Sequence, residues 1–469
     1  MTDKQLISTP GVPNKRAWLL PVLASLALTL IWYVFPHPAL IVVIGILPFA
    51  LLFTLNQPFL LVLCFVIFSF FRIHEVFPQI YNFKIPLLLS MASLGALFWH
   101  LVLSAKITPY WRPELSAISL FFLLVIIGLP LASNRPVAIA YFNAIYWKII
   151  VMTFAIAWLS RRAEDFALAS RLITISGLLV GIVALSNKAQ GIGLVEETRV
   201  TIGRAIGSVL GDPNDLALVL MFPVAFALSL VLSKGVGRLN TALGIISTPV
   251  LFFAVLATQS RGGLLGILSI FAVFAYRRMA SKTLFFGLGT AASILVFLLA
   301  GISGRSSGGA AEGGIDQSAM GRLYAWEAAT GMAQHNPLSG VGLNNFYSNY
   351  FYYSPHWDGL NHAVHSTWFG ILAETGFLGL GVFIVTIGML IKTALHTLKR
   401  IEAQPLPVDP AIHATAQAVL AGLLGTVVSA TFLTQGFTWP IYILLALVVA
   451  LAQWVDTHLS DNPSLDPNR

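Results

Sequence analysis

DLALVLMFPVAFALSLVLS, residues 215–233, carries a single charge, Asp215, and that charge stands first. A helix needs about 20 predominantly apolar residues to cross the hydrocarbon core of a bilayer. Runs of this kind recur from Trp18 to Trp454, with the charges gathered in the gaps between them. Of the 469 residues, 57% are hydrophobic and 10% charged, whereas roughly a quarter are charged in a soluble domain. A soluble globular enzyme is therefore excluded. A transmembrane barrel is excluded too, because its strands would alternate apolar and polar at every second residue. The sequence predicts an all-α, polytopic transmembrane helical bundle.

Spans are expected near 18–35, 39–55, 58–71, 85–104, 115–132, 139–159, 167–187, 215–233, 241–257, 263–280, 283–301, 365–391, 411–432 and 438–455. That makes fourteen, or twelve if short early segments are re-entrant. Lys15 and Arg16 precede the first run, which lacks a short h-region with a cleavage site and so reads as an uncleaved helix. The lone cysteine, Cys64, can form no intrachain disulfide.

In such a chain the formal charge of +8 reports orientation and does not point to nucleic acid. Placing both termini in the cytoplasm puts 17 of the 27 Lys and Arg on that side, among them Arg112, Lys234, Arg277, Arg278 and Arg400. Nine fall outside, and Lys148 lies within a span. The chain then divides into N-terminal helices over 1–301, about eleven spans; a large outer loop at 302–364; C-terminal helices over 365–455; and a cytoplasmic tail at 456–469.

A loop of that length in a compact protein is usually functional. It begins with GISGRSSGGAAEGGID, too rich in Gly and Ser to pack and without the GK[ST] ending of a phosphate-cradling loop. SAMGRLYAWEAATGMAQ follows, in which Ser318 can cap a helix showing Leu323, Trp326 and Ala329 on one face and ending before Pro337. The aromatic run from Tyr347 to Trp357 suits either an interfacial belt or stacking on sugar rings.

Arginines on the outer side of a positive-inside protein need a reason. Arg199 and Arg204 before span 215–233, Arg261 in TQSRGG, and Arg322 in the loop could together hold an anion, since guanidinium binds phosphate oxygens in a bidentate fork. Arg261 stands between two closely spaced spans, where a charge faces protein or a water-filled cavity. Histidine supplies a base: His356, His362 and His365 lie within ten positions, and neutral imidazole can take a proton from a sugar hydroxyl. One helical turn would put His362 and His365 on one side, making His362 a candidate substrate contact. No Cys or nearby carboxylate completes a zinc site with them. Of the few carboxylates, Asp215 is expected to cap span 215–233 and Glu374 to be a buried hydrogen-bonding residue.

Four pieces resemble one family: GDPNDLALVLMFP at 211–223, TQSRGG at 258–263, GRLYAWEAATGMAQHNPLSGVGLNNF at 321–346 and HSTWFGILAETGFLGL at 365–380. Their order is similar to that in the O-antigen ligase and Wzy-type polymerase superfamily of bacterial envelope glycosyltransferases, which includes O-linked protein glycosylation ligases. The resemblance covers about the second half of the chain. It implies inverting transfer of a glycan from undecaprenyl diphosphate at the periplasmic face of the inner membrane, with no cofactor, nucleotide sugar or metal. The acceptor would be lipid A core, a growing glycan or a protein, with a slight lean towards the ligase. By the same resemblance His365 would deprotonate the acceptor, Arg261 with Arg204 or Arg199 would hold the diphosphate, and Arg322 would make a third contact. Ser366 stands where the family often has Asn, which bears on the acceptor more than on the reaction class.

Two other classes are open to such a chain. A transporter or flippase of lipid-linked glycans would carry internal repeats with matching broken helices, yet the first half has no counterpart to the long loop or to SRGG. An envelope scaffold would tolerate loss of His365 and Arg261.

Overall fold

A computed structural model of the chain describes residues 38–299 and 317–459, with residues 25, 26, 29, 30, 32 and 33. The lead-in GISGRSSGGAAEGGID, most of span 18–35 and nearly all of the tail lie outside the described residues. Packing separates residues 1–58, which contain helix α1 (Pro38–Asn56), from residues 59–469, which hold all that follows.

Among the described residues there is no strand beyond one isolated bridge, and nine helices are long and apolar enough to cross a membrane. They match nine of the expected spans: 85–103, 113–131, 135–159, 163–190, 213–232, 238–258, 367–402, 410–430 and 439–458. The protein is an all-α, multi-pass membrane protein. Of the other expected spans, 18–35 lies mostly outside the described residues, 39–55, 263–280 and 283–301 form helices of 18 or 19 residues that are not among the nine, and 58–71 is short. Helix α2 (Pro58–Phe70) has only 13 residues, about 20 Å of rise against a core of about 30 Å.

The remaining helices are α3 (Ile73–Val76), α4 (Ile85–Phe98), α5 (Pro113–Leu131), α6 (Arg135–Tyr141), α7 (Trp147–Leu159), α8 (Ala163–Gln190), α9 (Pro213–Leu232), α10 (Arg238–Thr258), α11 (Arg261–Arg278), α12 (Lys282–Leu299), α13 (Gln317–His335), α14 (Phe346–Tyr353), α15 (Thr367–Glu402), α16 (Pro410–Ala430) and α17 (Trp439–His458). Helices α9, α16 and α17 are buried along most of their length and form the centre. In lipid, helices gain by close approach of small residues, since tails are as apolar as leucine. Gly425 of α16 accordingly lies against Ile270 and the Gly266 carbonyl of α11, and Gly263 lies against Ala217 of α9.

Residues 317–364 of the long loop fold onto the bundle. α13 buries Ala325, Ala328, Ala329 and Met332, an i, i+3, i+4, i+7 stripe, and Trp326 stacks on Phe369 of α15 with ring centroids 5.0 Å apart. The expected face included Leu323, which is 45% exposed; the stripe is made of alanines because the helix lies close to its neighbour. PLSGVG then docks on the LAETG turn of α15. Val341 N–H donates to Ala373 O and Phe377 N–H to Pro337 O, both at 2.8 Å. Gly376 has φ +70° and breaks the helix there, and a Cβ on it would overlap the Pro337 carbonyl. The Ala373 carbonyl and the Phe377 N–H at that break are thus both satisfied by the loop.

Candidate functional site

α11 and α15 begin on either side of the turn 431–438 that joins α16 to α17. Thr367 Oγ1 donates to Leu433 O and accepts from Gln435 N–H, both at 2.7 Å. Trp368 Nε1 donates to Thr431 Oγ1 at 3.3 Å. From the other side, Gly262 packs against Phe432 and Leu433. Arg261 and His365, one and two residues before these contacts, therefore lie at the same end of the bundle.

Each is positioned by a helix start. Ser260 caps α11, its Oγ accepting from Gly263 N–H, so half-buried Arg261 is the first residue of the helix. Ser366 caps α15, and His365 just before it has φ +44°, a left-handed conformation that costs a non-glycine residue free energy and is typical of functional sites. Burial lowers the imidazole pKa below its ordinary 6.5; Arg322 adds to this, Asp212 opposes it, and Arg199 and His362 add to it again. Arg322, Asp212 and Arg199 thus act on His365 although they come from separate parts of the chain.

Arg199 is 6% exposed. Its Nε donates to Thr258 O at the end of α10 at 3.0 Å, and its Nη2 donates to Asn214 Oδ1 in the first turn of α9 at 3.1 Å. Glu196 lies 3.7 Å away and is more than half exposed. Arg199 ties three segments together, bonding to α10 three residues before Arg261. Arg204 is different: it is exposed and donates to the Gly211 carbonyl at 3.3 Å.

Of the three candidate histidines, His356, His362 and His365, His365 alone has this setting. His362 Nε2 lies 2.9 and 3.0 Å from the two Asp358 oxygens, and this bond holds the carboxyl below its usual range. Residues 361–366 have no helical structure, so the expected helical turn joining His362 to His365 is absent. His356 stacks on Tyr324, with centroids 3.9 Å apart, and faces Glu327 at 3.4 Å. Asp212, in place of the expected Asp215, caps α9, with Oδ1 accepting from Asn214 and Asp215 N–H. Glu374 accepts from Asn344 and Phe346 N–H at 2.8 and 3.3 Å, which makes it the buried clamp of the PLSGVG turn.

Beside this boundary a cavity of about 570 Å³ opens between α2, α4, α6, α7, α9 and α17. Its walls are largely apolar, with Arg72, Lys148, Asp215 and Tyr141 among them, and Thr434 of the 431–438 turn on its edge. Sequence reasoning missed Arg72, Lys148 and Asp212 as parts of this region. Lys148 had a usable signal, because an ionisable residue within a span is expensive and so points to function.

Fold and site together define a polytopic membrane protein with a basic, histidine-bearing end capped by a folded loop. Residues 246–384 match the family model described as O-antigen ligase. The match supports the O-antigen ligase and Wzy-type superfamily, and with it a membrane ligase or polymerase of that family. It contains Arg261, Arg322, His362 and His365, and leaves out Arg199, Arg204 and Asp212. No curated protein matches the chain significantly.

Proposed function

We propose that this protein transfers a glycan from undecaprenyl diphosphate to an acceptor hydroxyl at the periplasmic face of the bacterial inner membrane, with both termini in the cytoplasm. The observation that carries the reading is that half-buried His365, left-handed just before the cap of α15, and Arg261, the first residue of α11, stand on either side of the 431–438 turn at one end of the bundle. An imidazole with a lowered pKa is neutral at pH 7 and can accept a proton. The apolar cavity beside it suits a prenyl chain, and Arg72 and Lys148 on its wall suit the attached phosphates.

In this mechanism His365 takes the acceptor O–H proton as the oxygen attacks the anomeric carbon. The bond from that carbon to the diphosphate oxygen breaks with its electron pair leaving on the diphosphate, and configuration inverts. Arg261, with Arg322 and the exposed Arg204, holds the anion and offsets the charge that develops as it leaves. Arg199, committed to Thr258 and Asn214, sets the field and the geometry; of the two upstream arginines, Arg204 has the freer guanidinium for the donor. His362 contributes through the Asp358 pair that shapes the loop. The exposed rings of Tyr347, Phe351, Tyr352 and Trp357 offer a stacking surface for sugars.

The test is reconstitution of purified protein with an undecaprenyl-diphosphate glycan, offering lipid A core, a protein, or no second acceptor. Wild type is expected to form product with an added acceptor, the ligase outcome, and His365→Ala to lose about 10²- to 10⁴-fold in rate. A ladder growing on the carrier alone means a polymerase. Equal rates for His365→Ala would remove the base, and an intact donor under every condition would favour transport.

A further inference from the structure

α11 has a second charged end. Where α9, α11 and α15 finish and α16 begins, a cavity of about 760 Å³ is lined by Ser233, Lys234, Arg277, Arg278, His413 and Gln417, with Glu402 the one carboxylate. It lies at the opposite end of α11 and α15 from Arg261 and His365. The positive-inside count assigns this end to the cytoplasm.

The cavity is built, and its charge is unbalanced. Arg277 Nη2 donates to both Glu402 oxygens, at 2.6 and 2.7 Å, and His413 Nε2 lies 3.5 Å from the same carboxylate. Arg278 Nη2 donates to Leu232 O at 3.2 Å and to Gln417 Oε1 at 3.0 Å, while its guanidinium lies over the Phe274 ring. Three permanent cations thus line a cavity with one anion. Ser233 adds an independent sign: it is 6% exposed, it forms part of the wall, and its buried hydroxyl has no hydrogen-bond partner. Leaving such a group unmatched costs free energy that a bound acceptor atom would recover. Leu232, Ile401, Leu406 and Val408 supply an apolar rim.

From this arrangement we infer that the cavity binds a phosphate group, that of an anionic lipid headgroup, with Ser233 donating to a phosphate oxygen and Lys234 and Arg278 balancing its charge. Basic pockets between helices at the cytoplasmic surface recognise headgroups through this chemistry. The apolar rim favours a lipid over free phosphate, because the adjoining acyl chains then stay against apolar surface.

The test is native mass spectrometry of the full chain titrated with phosphatidylglycerol, phosphatidylcholine or inorganic phosphate, for wild type, Ser233→Ala and Lys234→Gln. Wild type is expected to retain phosphatidylglycerol in preference to phosphatidylcholine, and each variant to bind it about tenfold more weakly, the loss of one charge-assisted hydrogen bond. The Ser233 hydroxyl makes no bond in the folded chain, so melting temperature without lipid should match wild type for that variant. Displacement of the lipid by millimolar phosphate would show that the phosphate group alone is recognised; binding of the lipid without such displacement would show that the acyl chains contribute. Equal retention of the two lipids by wild type, or unchanged affinity in both variants, overturns the site.

Discussion

The two ends of α11 handle positive charge differently. At its far end three arginines meet carboxylates, Arg277 at Glu402 and Arg112 and Arg400 at Asp456, while Arg278 bonds to a carbonyl and an amide oxygen. At its start the hydrogen bonds go to neutral oxygens, Arg199 to a carbonyl and an amide oxygen and Arg204 to a carbonyl, and the carboxylate near Arg199, Glu196 at 3.7 Å, is more than half exposed. A dipole orients a guanidinium without cancelling its charge. The first kind of end is held together largely by its own ion pairs, while in the proposed mechanism the second acts on His365 and on the departing anion. The comparison also explains why the far-end cavity stands out: it is the place in that carboxylate-rich region where the lining cations outnumber the acids.

Arg261→Lys is the strongest way to break this contrast. Lysine keeps the charge and loses the planar fork, so if Arg261 holds the leaving diphosphate, transfer should fall about a hundredfold with little change in melting temperature. Near-wild-type turnover would mean that charge alone suffices at that position.

The pH profile sharpens the comparison. Because His365 has a lowered pKa, it stays unprotonated as pH falls past 6.5, and the acid limb of kcat/KM should lie below that value. Arg322 disfavours the imidazolium, so Arg322→Gln should raise the pKa and move the limb to higher pH. A limb that stays where it was in this variant would separate Arg322 from the base.

The smallest effect belongs to the other end. Asp456 is 42% exposed at its side chain, where it meets Arg112 and Arg400, and exposed pairs contribute about 0–1 kcal/mol. Asp456→Asn should leave transfer unchanged and shift the thermal midpoint by a few degrees at most. A large loss of activity there would mean that the two ends communicate.

Much of the candidate site was legible as residue types in order. TQSRGG and HSTWF stand at helix starts as expected, and the Ser caps that the structure adds there are local: the side-chain oxygen needs only the amide two or three residues on. Glu374 could be read as a buried hydrogen-bonding residue because a carboxylate inside an apolar run has few other options. The helical turn expected at His362 and His365 failed for a related reason, since spacing of three puts residues on one face only if the segment is helical, and Asp358 instead captures His362.

What the sequence determined by itself is the class: apolar runs of spanning length must become helices, because a backbone in lipid has to satisfy its own hydrogen bonds. It also determined which end of each helix carries charge. Tertiary structure alone brought Asp212 and Arg199 within electrostatic reach of His365, closed PLSGVG on the break at Gly376, and set Ser233 and Arg278 in one cavity wall. These depend on which helices pack together, and an apolar face carries no label for its neighbour when lipid tails and other helices present the same surface to it.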